Sequence, residues 1–145
     1  NSALIITRDG RLNAVGTQEK PIVFTSSAPK GMRDIDNWGG IVLNGRAKIN
    51  VTGNENNSEG LANEDRNKYG GTDDTHDCGT LKYVRVEFAG RPLTADNELN
   101  GITLNACGSK TLLDFVQVHR GKDDGIEISR VRAIVDAGIL LINPG

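Results

Sequence analysis

Residues 119–128 read HRGKDDGIEI, which places His119, Asp123, Asp124 and Glu127 within nine residues. Adjacent carboxylates suit hydrolysis of a glycosidic bond, one as general acid and one as base, with His119 assisting. The same residues also suit a chain corner. Lys122-Asp123-Asp124-Gly125 has the composition of a turn, and Asp side chains accept from nearby backbone N–H groups. A strand leaving that turn points Ile126 and Ile128 inward and Glu127 outward, while the turn sends Asp123 and Asp124 in different directions. The corner is the preferred reading, ahead of a metal-bound corner and of catalysis. Asp123, Asp124 and His119 stand as the catalytic candidates.

A second oxygen-rich group contains Asp73, Asp74 and Asp77, with Asn54, Glu55, Asn56 and Glu59 earlier in the same polar stretch. Hard oxygen donors suit Ca²⁺, which takes six to eight of them. The spacing is not that of an EF-hand loop, and a solvated loop is the simpler reading. His76 lacks the further ligands that a zinc site needs. Trp38 and Tyr69 could stack on sugar rings if exposed, but a structural role as core residue or corner wedge is the preferred reading. Asn50-Val51-Thr52 and Asn56-Asn57-Ser58 match the N-glycosylation tripeptide, a common and here incidental pattern. Cys78 and Cys107 allow one disulfide or two buried thiols, and both options stay open. There is no Ser/His/Asp set, phosphate-cradling loop, CxxC pair or nucleotide fingerprint.

The elements that must position these residues are short strands. The chain has 145 residues, a formal net charge of −2 and 18 glycines. That length suits one domain with a proper core. The charge gives no basic face for nucleic acid, and no apolar run approaches the ~20 residues of a membrane span. Apolar runs such as PIVF, GIVL and GITL are bounded by Gly, Asn and Ser, with Asp9-Gly10 and Asn44-Gly45 as turn signals. No segment has convincing helical periodicity; the best candidate, 58–68, is too polar to pack. Residues 53–79 read as a long polar insertion and 91–100 as a second loop.

Internal similarity decides the architecture. YVRVEFAG at 83–90 and FVQVHRG at 115–121 match, so that Tyr83/Phe115, Val84/Val116 and Val86/Val118 share a 32-residue spacing. IVLNGRAKI at 41–49 and GITLNACG at 101–108 are weaker echoes. Repeats of this length built of short strands signal a solenoid or propeller, and the very short strands, glycine corners and repeated aromatic-Val-x-Val favour a parallel β-helix over a sandwich. The aromatic and valine pairs are expected to stack in columns inside it.

Together KPIVFTSS, WGGIVLNGRAKIN, YGGTDDTHDCGTLKYVRVEFAG, NELNGITLNACGS and DFVQVHRGKDDGIEI resemble a family of large bacterial exported proteins, often lipoproteins or surface-sorted. The resemblance runs in order over about residues 3–128. It implies a right-handed parallel β-helix at the cell surface or secreted, without an established catalytic activity. Pectin-cleaving β-helix hydrolases also carry an Asp-Asp pair. After Ile128 the sequence departs from the family, which continues with further coils, so a truncated relative or a fragment is expected.

The resulting expectation is an all-β, right-handed parallel β-helix forming one domain over 1–145, truncated, with long polar loop insertions and a divergent tail at 129–145. Its expected role is an exported structural or adhesive module that associates with itself end to end, with cell-surface components or with glycans. No cofactor is required in this reading, although Ca²⁺ could stiffen the acidic loop. Neither nucleic acid nor a membrane span is expected. The alternatives are a polysaccharide hydrolase or lyase of β-helix type and a passive carbohydrate-binding module.

Overall fold

A computed structural model describes residues 2–92, 99–129, 134–135 and 140–142. The first sheet contains β1 (Leu4–Ile6), β4 (Ile41–Asn44), β8 (Ile102–Asn105) and β10 (Ile126–Ser129), hydrogen-bonded in that order. The second is built on β7 (Gly79–Glu87) and β9 (Leu112–His119). On one side β7 pairs with both β2 (Leu12–Val15) and β3 (Ile22–Phe24); on the other, β9 pairs with β11 (Ile134–Val135) and β12 (Leu140–Ile142). Every pairing in these two sheets is parallel. The chain therefore visits the sheets alternately and adds one layer at each pass. The expected all-β, parallel architecture is present.

Register explains the sequence echoes. Leu4, Ile41, Ile102 and Ile126 align across the first sheet, as do Ile6, Leu43, Leu104 and Ile128. Their neighbours Val42, Thr103 and Glu127 form the alternate column, because successive side chains in a strand point to opposite faces. In the second sheet Ala14, Leu81 and Leu113 align, and so do Val84 with Val116 and Val86 with Val118. The inward residues of both sheets share one core in which Ile41, Leu43, Leu81, Val86, Ile102, Leu104, Leu113 and Val116 are each 0% exposed. Burying each such side chain contributes about 1.5–3 kcal/mol.

Two expectations are corrected. The valine pairs stack inside, but Tyr83 and Phe115 stack outside, and Phe115 is 45% exposed. The cause is backbone conformation. Tyr83 has φ 51° and Phe115 φ 52°, left-handed values that shift the alternation by one residue. Lys82 and Tyr83 consequently both face outward before Val84 turns in, an equivalent phase shift occurring at Phe115. The second correction concerns Ile128, which aligns with the buried Leu104 yet is 48% exposed, because β10 is the last described strand of its sheet.

Cys78 and Cys107 are joined in a disulfide, with their Cα atoms 5.7 Å apart. Cys78 precedes β7 and Cys107 follows β8, so the bond fastens successive layers together. The stretch at 53–79 is polar as expected but ordered. It carries the antiparallel pair β5 (Asn56–Asn57) and β6 (Lys68–Tyr69), and two single turns of 3₁₀ helix. Tyr69 joins Ala47, Ile49 and Ala106 in a second small apolar cluster. Arg8 pairs with Glu55 at 2.5 Å and tethers the insertion to the turn after β1. Of the second loop, 93–98 lies outside the described residues; of the tail read as divergent, 130–133, 136–139 and 143–145 do so, while β11 and β12 extend the second sheet.

Candidate functional site

The outer face of the first sheet is roofed by the insertion. Val42, Thr103 and Glu127 form one column of that face, and Asn44, Asn105 and Ser129 the next. Asn105 Nδ2 donates to Asn44 Oδ1 at 3.1 Å, and Ser58 Oγ, from the insertion, donates to the same oxygen at 2.7 Å. Asn44, Ser58, Thr103 and Asn105 are all buried. Polar groups inside a protein must be paired or cost free energy, so this ladder binds the roof to the sheet.

Between roof and sheet lies a pocket of about 260 Å³. Thr103, Asn105, Glu127 and Ser129 supply its floor; Asn56, Asn57, Ser58, Glu59 and Tyr69 its roof; Leu99 and Asn100 come from the end of the second loop. Both long loops converge here. Gly40 permits the approach. It has φ 94°, and a Cβ there would lie 2.4 Å from the Asn100 carbonyl oxygen, so a side chain is excluded on both counts.

Three oxygens around this pocket are buried without a hydrogen-bond partner: Asn57 Oδ1, Asn100 Oδ1 and Thr103 Oγ1. Asn44 Nδ2 beneath the ladder is a fourth orphan. An unmade hydrogen bond on a buried group costs about 1–3 kcal/mol. Several such groups in one place make the pocket the candidate site.

The catalytic candidates lie elsewhere. Asp123 and Asp124 occupy the corner between β9 and β10, where the Asp124 carbonyl oxygen accepts from Gly101 N at 3.0 Å. His119 ends β9 and meets Phe88 edge-on, ring centroids 6.2 Å apart. None of the three lines the pocket; Glu127, from the same motif, does. Its Oε2 accepts from Asn100 Nδ2 at 2.7 Å and its Oε1 from Ser129 Oγ at 3.0 Å.

Asp73, Asp74 and Asp77 are sent to separate partners. Asp73 Oδ1 accepts from Thr75 N and Oγ1, Asp74 Oδ1 from Lys48 N, and Asp77 from Gly79 N while pairing with Arg11 at 2.5 Å. Among the described residues no group of three His, Cys, Asp or Glu side chains could hold a metal ion. The hydroxyl and then the backbone N–H of Thr75 hold the Asp73 carboxyl below its ordinary range. Burial pushes the His76 imidazole below its ordinary value, partly opposed by Asp73, and its Nε2 is an orphan.

Of the two roles open to the aromatic rings, both rings take the buried one. Trp38 is 9% exposed in the main core, and its Nε1 donates to the Glu87 carbonyl oxygen at 2.7 Å. Tyr69 is 7% exposed, yet it lines the pocket and its hydroxyl accepts from Asn56 Nδ2 at 3.2 Å. In the sequence Asn100 and Thr103 do not stand out, Asn57 does so only within a glycosylation tripeptide and Glu127 only as the outward residue after the aspartate turn. The available signal was the Leu-Asn echo of IVLN and ITLN, which aligns Val42 with Thr103 and Asn44 with Asn105.

Layered parallel sheets, a shared aliphatic core and an asparagine ladder define a protein of β-helix class. A model of the pectate-lyase-like beta helix domain matches residues 1–129, and the chain belongs to that family. No curated protein and no solved structure matches it significantly.

Proposed function

We propose that the chain is an exported surface module, a right-handed parallel β-helix whose adhesive contact is a glycan seated in the pocket over the first sheet. The carrying observation is the set of buried, unpartnered oxygens of Asn57, Asn100 and Thr103 in one pocket. Sugar rings present many hydroxyls at fixed spacing, and amide and hydroxyl side chains suit them. The volume of about 260 Å³ suits one saccharide unit. Membership of a pectate-lyase-like β-helix family supports a carbohydrate-related or structural role. The buried disulfide supports an oxidising compartment outside the cytosol.

A non-catalytic role is favoured over polysaccharide cleavage because Asp123, Asp124 and His119 lie away from the pocket. The test is calorimetric titration of the chain and of Thr103→Val with a panel of mono- and oligosaccharides. Binding that Thr103→Val weakens about tenfold supports the reading. Binding that is absent, or is unchanged in the variant, contradicts it. A steady release of reducing ends would favour the enzyme.

End-to-end self-association is a second reading, favoured by Ile128, an inward-column residue left 48% exposed on the last described strand of its sheet. Sedimentation tests it: assembly should rise with concentration and fall in Ile128→Asp.

A further inference from the structure

We propose that the pocket selects a sugar carrying a protonated amine, an amino-deoxy sugar unit, over neutral and acidic sugars. The proposal rests on the glycan reading and deepens it.

The argument is an accounting of donors and acceptors. Asn57 Nδ2 donates to the carbonyl oxygens of Ser58 at 2.9 Å and Leu61 at 2.8 Å. Those two acceptors fix which end of the amide is nitrogen, so the bare atom of Asn57 is an oxygen. Asn100 is settled likewise. Its Nδ2 donates to Glu127 Oε2, which leaves Oδ1 bare on a side chain of a residue only 8% exposed. Thr103, 6% exposed, adds an unpartnered hydroxyl, which can accept from a ligand or donate to it.

Several donors near these oxygens already have partners, while the Tyr69 hydroxyl proton and one hydrogen each of Asn56 Nδ2 and Asn100 Nδ2 stay available. Ser58 Oγ and Asn105 Nδ2 donate to Asn44 Oδ1, Ser129 Oγ donates to Glu127, and Asn56 Nδ2 donates to the Tyr69 hydroxyl. Counted with the lone pairs of Glu59 and Glu127, acceptors in the described lining still outnumber these donors. A complementary ligand must donate.

Charge points the same way. Glu59 and Glu127 line the pocket, and none of its described lining residues is Lys, Arg or His. Glu127 receives one hydrogen bond at each oxygen, which leaves each with a lone pair to spare. A hydroxyl offers one donor. A protonated amine offers three from a single atom, with a positive charge to meet the carboxylates. A uronate would bring like charge against both glutamates, with no Lys, Arg or His among the described lining residues to offset it.

The experiment is calorimetric titration of the full chain, near pH 6, with D-glucosamine, D-glucose, N-acetylglucosamine, D-galacturonate and CaCl₂. The expected result is glucosamine bound about tenfold more tightly than glucose, with no such advantage for the N-acetylated sugar. In Glu127→Gln the ratio of glucosamine to glucose affinity should fall to near one, whatever happens to either affinity alone. If that variant fails to fold, Glu59→Gln on the exposed rim should reduce the same ratio. Equal binding of glucosamine and glucose, or preference for galacturonate, overturns the amine proposal and leaves the glycan reading standing. Saturable binding of Ca²⁺ alone that blocks the sugars overturns it in favour of a cation site. No binding of any sugar overturns both readings.

Discussion

The rings of Tyr83 and Phe115 stack with centroids 4.6 Å apart and planes 2° from parallel, on the outside of the second sheet. Each residue sits at a positive φ in the middle of its strand, and each is followed by a valine that re-enters the core. A non-glycine residue in that region costs of order 1 kcal/mol, and stacking two of them across adjacent layers offsets part of it.

That placement separates two substitutions two residues apart. Leu113→Ala removes a side chain 0% exposed in the shared core and should destabilise by about 2–5 kcal/mol. Phe115→Ala removes a half-exposed ring and should cost about 1 kcal/mol. Urea denaturation of both variants compares them. Equal losses would put Phe115 inside the core after all.

The disulfide should matter to the stability of the layered stack. Cys78 and Cys107 are 29 residues apart, a loop whose closure is worth about 3–4 kcal/mol in the chain-entropy account. The Cys78→Ser/Cys107→Ser double variant should lose that much against the oxidised protein. Reductant should lower the wild-type midpoint and leave the variant unmoved.

Thr103→Val should uncouple stability from binding. Val replaces a buried, unpartnered hydroxyl with a methyl group of similar shape, which should stabilise the fold by about 1 kcal/mol. The same change removes an acceptor from the pocket and should weaken sugar binding. A variant both less stable and unaltered in binding would contradict the pocket's assignment.

Acid should weaken the fold in two stages. Burial holds the His76 imidazole below the value of about 6.5 that it has when unfolded. In that window the unfolded chain binds more protons than the folded one, so stability falls as pH drops below about 6.5. Further down, Asp73 and Glu55 come into play. Both are depressed, Asp73 by its bonds from Thr75 and Glu55 by its bonds from Arg8 and Lys68. Their stabilisation is present above the ordinary carboxylate range and is lost as pH falls through their folded values. In urea midpoints measured against pH, His76→Gln should flatten the upper stage and spare the lower one.

The layered parallel architecture was legible because it follows from spacing alone. The shared separation of Val84/Val116 and Val86/Val118 is the rise from one layer to the next. The outward stacking of Tyr83 and Phe115 was not legible, since an aromatic among valines looks like core and its positive φ leaves no mark in composition. The pocket was hidden for another reason. Asn57, Asn100, Thr103 and Glu127 come from separate loops and layers, and nothing local shows that one insertion folds back over the first sheet. HRGKDDGIEI drew attention to its aspartates, whereas the structure gives the pocket the glutamate three residues further on.

The measurement that bears most directly on the account is an NMR titration of the ¹⁵N-labelled chain with D-glucosamine, following the side-chain amides. Asn57 and Asn100 carry the bare oxygens, so their NH₂ resonances should shift together and saturate with the calorimetric affinity, while that of Asn13, on β2 of the second sheet, stays fixed. Saturating shifts confined to the corner around Asp123 and Asp124, with Asn57 and Asn100 unmoved, would contradict it.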